Sequence, residues 1–596
     1  MRLIFRIYSI LILLLLIQGT GISSAKTKKV RVDRVSFQGI SAFRGQRLSK
    51  LMVTRTSRFL SPNFYNEDIF NEDLKSLERF YHNNGYFDAA VADYHVEVDS
   101  TRFKVSMMIS IQEGEATHIE GVNVFGNTVF SDSLLLSKIK ISAGERFQRK
   151  KIDDGTIELL TLYANNGYLD ADVKTDIRLN TETRRALIDY NITEKSKFSI
   201  GEISIQGLDK TRRNVVIREL LFNSGEVINY SRLLETQHNI YMTGLFQSVF
   251  IRPLVSVSDD LSRKDILVEV KENMTGEFNV ALGYGSVDKA RGKVEVFNNN
   301  VKGSSIKLGM AGKVSMVQYG VESSLTNPWT FGIPLRSDVN FLMERKDEPG
   351  YDYARIGGRV VLGRQFYNEN VTLTYRHERV RLSNLEVETI PDDLISNTRS
   401  FKLSYIHDTR NNLFNASKGL YMEASSEFGA FFTDVTSTFY RFTGQVKYFR
   451  ELNLKTVIGT SIELGLINSE GGLNAIPLHE RFYAGGAMSL RGFKYEKVGL
   501  LDNNNLPVGG RIKLIWNIFE MRRSLYKMIG GALFADIGYV WQKPEYIHLR
   551  DMRISPGIGL RVNTPIGLAR LDYGFNVDRR KNESSGEIYF NMGQAF

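Results

Sequence analysis

The residue types that do covalent chemistry are sparse in this sequence, and where they occur their spacing does not assemble a site. The chain of 596 residues has no cysteine, which removes disulfides, thiolate nucleophiles, thiolate-bound metals and an amino-terminal lipidated Cys. His377-Glu378 and His479-Glu480 each lack the second histidine of a zinc-binding helix. Gly557-Ile558-Gly559 lies inside an alternating stretch, away from any strand-to-helix turn that would cradle a phosphate. No nucleophile elbow is present. No enzyme, metal or cofactor is expected from these patterns. The interaction that stands out is ionic: Arg491, in Gly485-Gly486-Ala487-Met488-Ser489-Leu490-Arg491-Gly492-Phe493, sits in a long irregular connection from Gly471 to Leu506. A connection of that length with little structure of its own usually has a task. Its Phe482, Tyr483, Met488, Leu490, Phe493 and Tyr495 form a set expected to fold back onto something. The expected surface is the lumen of a membrane β-barrel, with Arg491 meeting a carboxylate on the inner wall.

The elements that must position such a loop begin at Gly276. Along Phe439 to Phe449, Tyr440, Phe442, Gly444, Val446 and Tyr448 alternate with Arg441, Thr443, Gln445 and Lys447. Val371, Leu373 and Tyr375 alternate in the same way with Thr372, Thr374 and Arg376. Apolar-out, polar-in alternation with aromatic ends predicts a lipid-facing barrel; a soluble sandwich would alternate but would not cap its apolar face with aromatics. Sixteen strands are predicted over 275–596, an even number as closure requires. The last of them, Gly586 to Phe596, ends on a terminal phenylalanine. Asp536 falls on the inner face, opposite Leu533, Ala535, Ile537, Tyr539 and Trp541. Glu520 is in phase with the lipid-facing Ile512, Leu514, Trp516 and Ile518, so it reaches the inside only if a bulge shifts it or the strand has already met the interface.

Residues 26–274 read as one α+β module three times, over 26–114, 115–196 and 197–274. Strands ending at Gly39, Gly126 and Gly207 open the units. Asn83-Asn84-Gly85-Tyr86-Phe87-Asp88-Ala89 recurs as Asn165-Asn166-Gly167-Tyr168-Leu169-Asp170-Ala171, with Met242-Thr243-Gly244-Leu245-Phe246 in the third place. Each unit closes on a strand with an acidic end, at Glu113, Glu194 and Glu272. Between landmarks the period becomes helical, with Ile69, Leu74, Leu77, Phe80 and Tyr81 expected on one buried face, and Ile157, Leu160, Leu162 and Tyr163 on another. Residues 1–25 carry Arg2 and Arg6, an apolar run from Ile10 to Ile17 and Ser23-Ser24-Ala25, the pattern of a secretory signal. The formal charge of +10 is spread over the whole length and does not point to nucleic acid.

The repeats resemble POTRA modules, and with the barrel the chain resembles the BamA/TamA superfamily of outer-membrane assembly factors. Leu490-Arg491-Gly492-Phe493 is similar to that family's sixth-loop motif, whose first position is usually Val or Ile. Asp408-Thr409-Arg410-Asn411-Asn412, Val508-Gly509-Gly510, Phe534 to Trp541 and Leu571-Asp572-Tyr573-Gly574-Phe575 extend the resemblance. It implies that Arg491 pairs with Asp536 and Glu520, and that Phe596 completes a barrel-recognition signal. It also implies a location in the bacterial outer membrane with periplasmic modules. Its partners would be the lipid bilayer, unfolded β-barrel clients, and accessory proteins of the periplasm or inner membrane. Three modules match TamA-type proteins and short BamA-like ones, and the sequence does not choose between them. Clients would be captured at module sheet edges and passed to a seam between the first and last strands, weakened by Gly283, Gly285 and Gly593. The alternative is a transporter exporting one dedicated protein through its pore.

Overall fold

A computed structural model describes residues 30–57, 63–255, 260, 262–388, 394–413, 415–432, 437–453, 455–526, 528–564, 567–581 and 583–592. The signal segment, Gly593 and Phe596 therefore lie outside the described residues. The chain divides into two compact units, one holding the first two modules and the other holding the barrel, with residues of the third module shared between them.

In the first module, Arg31–Gln38 (β1), Gly45–Leu51 (α1), Glu67–Asn83 (α2), Ala90–Asp99 (β2) and Lys104–Gln112 (β3) form a three-stranded sheet under two helices. The second repeats this with His118–Phe125 (β4), Asp132–Ile139 (α3), Arg149–Asn165 (α4), Asp172–Asn180 (β5) and Arg185–Thr193 (β6). The third has Ser199–Gln206 (β7), Arg213–Ile217 (α5), Tyr230–Met242 (α6), Phe246–Val255 (β8) and Arg263–Glu272 (β9). The sheet orders are β1-β3-β2, β4-β6-β5 and β7-β9-β8, so the last strand of each module is its centre.

The repeated residues have physical reasons. Gly39, Gly126 and Gly207 all take positive φ, and a Cβ there would lie 2.2, 2.2 and 1.9 Å from the carbonyl oxygens of Ile111, Ile192 and Val270. Only glycine allows the chain to leave the opening strand so close to the central one. The closing glutamates then satisfy the loop that follows. Glu113 accepts from the Ser41 and Ala42 N–H groups at 2.8 and 3.0 Å and from the Tyr81 hydroxyl at 2.7 Å. Glu194 accepts from Thr128 and Val129 N–H at 2.8 and 3.0 Å and from Tyr163 at 2.7 Å. Glu272 accepts from Asp209, Lys210 and Thr211 N–H at 3.1, 3.0 and 2.7 Å. The Asn-Asn-Gly landmark joins successive units. Asp88 pairs with Arg184 at 2.9 Å and Asp170 with Lys264 at 2.9 Å, while Gly85 and Gly167 carbonyls accept from Thr117 and Phe198 N–H at 2.7 and 2.9 Å.

The helical faces differ from expectation by a residue or two. In α2 the buried apolar positions are Phe70, Leu74, Leu77 and Tyr81, and Ile69 is exposed. In α4 they are Ile152, Gly155, Leu159 and Tyr163, and Ile157 is exposed. Each helix carries apolar residues on two adjoining stripes, and contact with the sheet selects the one that includes the tyrosine bonded to the closing glutamate.

Residues 276–592 form a closed antiparallel barrel of sixteen strands. In order they are Gly276–Gly285 (β10), Lys289–Val301 (β11), Ile306–Ser315 (β12), Gln318–Asn327 (β13), Arg336–Glu348 (β14), Tyr351–Phe366 (β15), Glu369–Ser383 (β16) and Ile395–Asp408 (β17). Gly419–Phe432 (β18), Ser437–Asn453 (β19), Thr456–Ser469 (β20), Ile512–Tyr526 (β21), Ile529–Trp541 (β22), Arg553–Thr564 (β23), Gly567–Phe575 (β24) and Gly586–Met592 (β25) complete it. Phe278, Leu282, Met310, Phe401, Phe442, Leu464 and Ile588 are half or more exposed on the outer face. A continuous apolar coat of this kind is stable only against lipid. No helix among the described residues is long and apolar enough to cross a membrane. The connection before β21 runs on to Arg511, so Val508-Gly509-Gly510 belongs to the loop.

Candidate functional site

The loop between β20 and β21 folds back inside the barrel. Phe482 and Gly510 exchange backbone hydrogen bonds of 2.9 Å, and Val498 N–H donates to Ala484 at 2.9 Å, so the segment builds its own short ladder. Gly486 N–H donates to Leu490 at 3.1 Å, closing a tight turn just before the arginine. Met488 stands at the tip of that turn and is 78% exposed, against the expectation that it would be buried. Leu490 and Phe493 are buried with Ala484, Val498, Ile515 and Val540.

Arg491 is 6% exposed. Its Nε and Nη2 donate to the two oxygens of Asp536, each at 2.8 Å, a fork-to-fork pair. Its backbone N–H donates to Asp536 at 3.2 Å, and Asn517 Nδ2 holds the same carboxylate at 2.5 Å. Nη1 donates to Glu520 at 2.7 Å and lies 3.8 Å from Asp572. The guanidinium carbon is 3.4 Å from the centre of the Phe534 ring. Arg561, 2.5 Å from Asp572 and 3.7 Å from Glu520, supplies the second cation that so many buried carboxylates require.

Alternation along β22 places Ala532, Phe534, Asp536, Gly538 and Val540 inside, with Leu533 outside. Trp541 departs from the expected lipid face. It is 3% exposed, with its indole N–H 3.4 Å from Asp551, because the strand ends there beneath the following segment. Glu520 reaches the inside through a bulge. The register between β21 and β22 slips between Asn517 and Phe519, and consecutive Ile518 and Phe519 are both exposed. The slip reverses the phase, so Glu520 turns inward beside Asp536.

Two glycines make room for the loop. A Cβ on Gly492 would lie 2.5 Å from the Phe575 carbonyl, and one on Gly574 would lie 2.3 Å from the Arg491 carbonyl carbon. The backbones of loop and β24 are in direct contact, which accounts for the glycine in Leu571-Asp572-Tyr573-Gly574-Phe575. Tyr589 of β25 donates to the Phe493 carbonyl at 2.6 Å, and Arg553 lies 4.6 Å over the Phe493 ring, held by Asp578 and Glu583, each at 2.6 Å.

A second anchor was missed at the sequence level. Glu480, 7% exposed, accepts from Arg376 of β16 at 2.8 Å and pairs with Arg441 of β19, whose guanidinium also donates to the Glu480 carbonyl at 2.8 Å. Glu427 completes this group, 2.7 Å from Arg376. Read as half of a failed zinc pair, Glu480 gave no signal; the usable clue was two arginines, Arg376 and Arg441, on the polar face of strands predicted to enclose the loop. The loop is thus bound to β21–β22 through Arg491 and to β16 and β19 through Glu480. Further along, Leu478 packs with Tyr351, Tyr353, Val380, Leu382 and Val387.

The seam residues are placed as follows. Gly276 to Gly285 is registered along its full length to β11. To β25 it is joined, among the described residues, only by Tyr284↔Met592 and Gly285↔Asn591, with the Ser286 N–H donating to Phe590 at 2.9 Å. Gly283 adjoins this stretch, where a Cβ would lie 2.8 Å from the Met592 carbonyl oxygen. No group of metal-ligating side chains occurs among the described residues.

These features define a class: an outer-membrane barrel carrying periplasmic POTRA repeats, with a loop returned into its lumen. Residues 300–596 match the Omp85 superfamily domain, and 30–114, 117–195 and 198–273 match the POTRA model, described as a surface antigen variable number repeat. The chain belongs to the Omp85 superfamily, as a protein of BamA/TamA type. It is 22% identical over 590 residues to the outer membrane protein assembly factor BamA of Nitratidesulfovibrio vulgaris, covering 95% of this chain and 74% of that one. Against BamA of Neisseria meningitidis serogroup B it is 22% identical over 641 residues, covering 96% and 78%. The crystal structure of BamA from Haemophilus ducreyi lacking POTRA domains 1–3 superposes with a TM-score of 0.67 at 19% identity, covering 80% of this chain and 99% of that one.

Proposed function

We propose that this protein assembles β-barrel proteins into the bacterial outer membrane, with its modules in the periplasm. The observation that carries the reading is the likeness of the chain, over 95% and 96% of its length, to proteins named outer membrane protein assembly factor. Among the described residues, β10 is registered along its full length to β11 and at Tyr284 and Gly285 to β25. When the junction of β10 with β25 opens, β10 offers backbone N–H and C=O groups to an incoming strand, in the way sheet edges recruit extended segments. Client segments first add to module sheet edges, where main-chain hydrogen bonding tolerates varied sequences. They then pair with β10 and fold as a growing sheet on that template. No covalent step is needed, and accessory proteins would dock on the modules.

The transporter alternative requires an open lumen. Sixteen-stranded porins leave an aqueous channel, but here the loop occupies the interior and is tied down on two sides. The test uses the absence of native cysteine. A Tyr284→Cys/Met592→Cys pair, oxidised, should stop client insertion into vesicles, and reduction should restore it. Insertion at the unmodified rate with the seam locked would overturn the reading.

A further inference from the structure

The first helical segment of the third module is fastened to the rim of the barrel. Thr211 Oγ1 accepts from Asn300 at 2.8 Å, Arg212 N–H donates to the Gly303 carbonyl at 2.9 Å, and Arg218 is hydrogen-bonded to Ser305. A Cβ on Gly303 would lie 2.1 Å from the Lys210 carbonyl, so the turn between β11 and β12 and the module backbone meet without side chains between them. This junction walls a cavity of about 440 Å³, lined by Arg212, Val215, Ile217, Arg218, Ser304 and Trp329 among others.

Its chemistry is asymmetric. The Trp329 N–H donates to Glu219 at 2.8 Å, and the Arg218 guanidinium stacks 5.3 Å from the centre of the indole. Arg218 Nε makes no hydrogen bond, and its nearest carboxylate oxygen, on Glu219, is 3.6 Å away. Burial pulls the Arg218 guanidinium below its ordinary pKa, and the nearby Glu219 charge restores it only in part. The side chain of Arg212 is exposed. Arg212 and Arg218 thus both line the cavity, and the carboxylate beside Arg218, that of Glu219, already serves the indole. Beside them, on the turn between β13 and β14, Phe331 is 84% and Ile333 48% exposed. That turn lies at the module end of the barrel, at the edge of the apolar coat. Tryptophan and exposed apolar residues at such a level mark the headgroup zone of a bilayer, and arginine forks match phosphate oxygens.

We propose that this cavity binds the phosphodiester headgroup of an anionic lipid from the periplasmic leaflet, held by Arg212 and Arg218 with its glycerol against Trp329 and its chains along Phe331 and Ile333. Each arginine near a lipid surface contributes about a fivefold change in affinity. A lipid seated there would brace the third module against the rim from which β10 departs.

The test uses the full-length protein in neutral detergent with added phosphatidylglycerol, bound lipid being counted by native mass spectrometry. The unmodified protein should retain one lipid at low concentration. Arg212→Gln should weaken retention about fivefold, and Arg212→Gln/Arg218→Gln roughly twenty-five-fold, while heat-modifiable electrophoretic mobility reports a folded barrel. Soluble glycerol phosphate at equal concentration should fail to displace the lipid. Undiminished retention in the double variant would overturn the proposal. Displacement by glycerol phosphate would reassign the cavity to free phosphate esters, and displacement by an acidic extended peptide would reassign it to polypeptide. If the double variant does not fold, Arg212→Gln decides alone, since that side chain is exposed: loss supports the site, and no loss overturns it.

Discussion

At the scale of residues, the site is an ionic contact made inside a barrel where neither partner reaches bulk water easily. Removing one member of such a pair leaves the other buried and uncompensated, which typically costs about 3–5 kcal/mol. Arg491→Ala should therefore undock the loop, exposing the 471–511 connection to protease in the otherwise folded barrel. Arg491→Asp should do the same. Combined with Asp536→Arg it should regain part of the protection, whereas Arg491→Asp with Glu427→Arg should not; simple additivity in both pairs would count against a direct contact. Glu480→Gln tests the other anchor, with partial protease sensitivity expected because Arg491 still holds. How far these residues could be read beforehand varied with their local rule. Asp536 follows strict alternation and was legible. Glu520 obeys alternation only up to Ile518, after which a bulge reverses the phase, and nothing in the sequence marks where the extra residue falls. Glu480 was illegible because its partners come from β16 and β19, 104 and 39 residues earlier.

At the scale of elements, the modules and the loop are each fixed by close backbone approach. Gly574→Val would force a side chain into the Arg491 carbonyl, so it should displace the loop as effectively as losing the arginine, with Asp536 intact. Loop protection unchanged by Gly574→Val would refute that packing. In the modules, burial opposes ionisation of Glu113, but the hydroxyls of Ser41 and Tyr81 and the backbone N–H groups of Ala42 and Ser41 outweigh it and hold its carboxyl below the usual range. Burial likewise opposes Glu194, and Thr128, Val129 and Tyr163 bring it down to about 2. A carboxyl lowered on folding stabilises fully above its unfolded value of about 4.3 and loses that contribution as pH falls toward the folded value. Hydrogen exchange of the loops at 41–42 and 128–129 should accelerate between pH 4.5 and pH 2 relative to the intrinsic rate, and Glu194→Gln should remove the pH dependence of the second loop. The repeat spacing revealed the modules because glycine and glutamate are required at the same place each time. The helix faces were harder, since Ile69 and Phe70, adjacent and both apolar, differ only in which one the sheet covers.

At the scale of the whole molecule, a cylinder of sixteen strands with an apolar coat would be a pore if its interior were empty. The returned loop makes it a plugged one. Planar-bilayer conductance should be small and should rise severalfold when residues 474–508 are replaced by a short Gly-Ser linker; an equally large conductance with the loop in place would favour export through the lumen. The barrel was legible in the sequence because every strand repeats one alternation, and an error of a few residues at a strand end does not change the count. How β10 meets β25 was not legible in the sequence, which offers only Gly283, Gly285 and Gly593 there, since pairing between the two ends of a barrel depends on registers accumulated around the whole wall. The most direct measurement of the account is disulfide trapping of a stalled client whose final strand carries single cysteines, against single cysteines in β10 at Phe278, Val280 and Leu282, in β17 at Phe401 and on the inner wall at Asn517. The account predicts cross-links at alternating positions of β10 and none at Phe401. Cross-links equal at both strands, or confined to lumen positions such as Asn517, would contradict it.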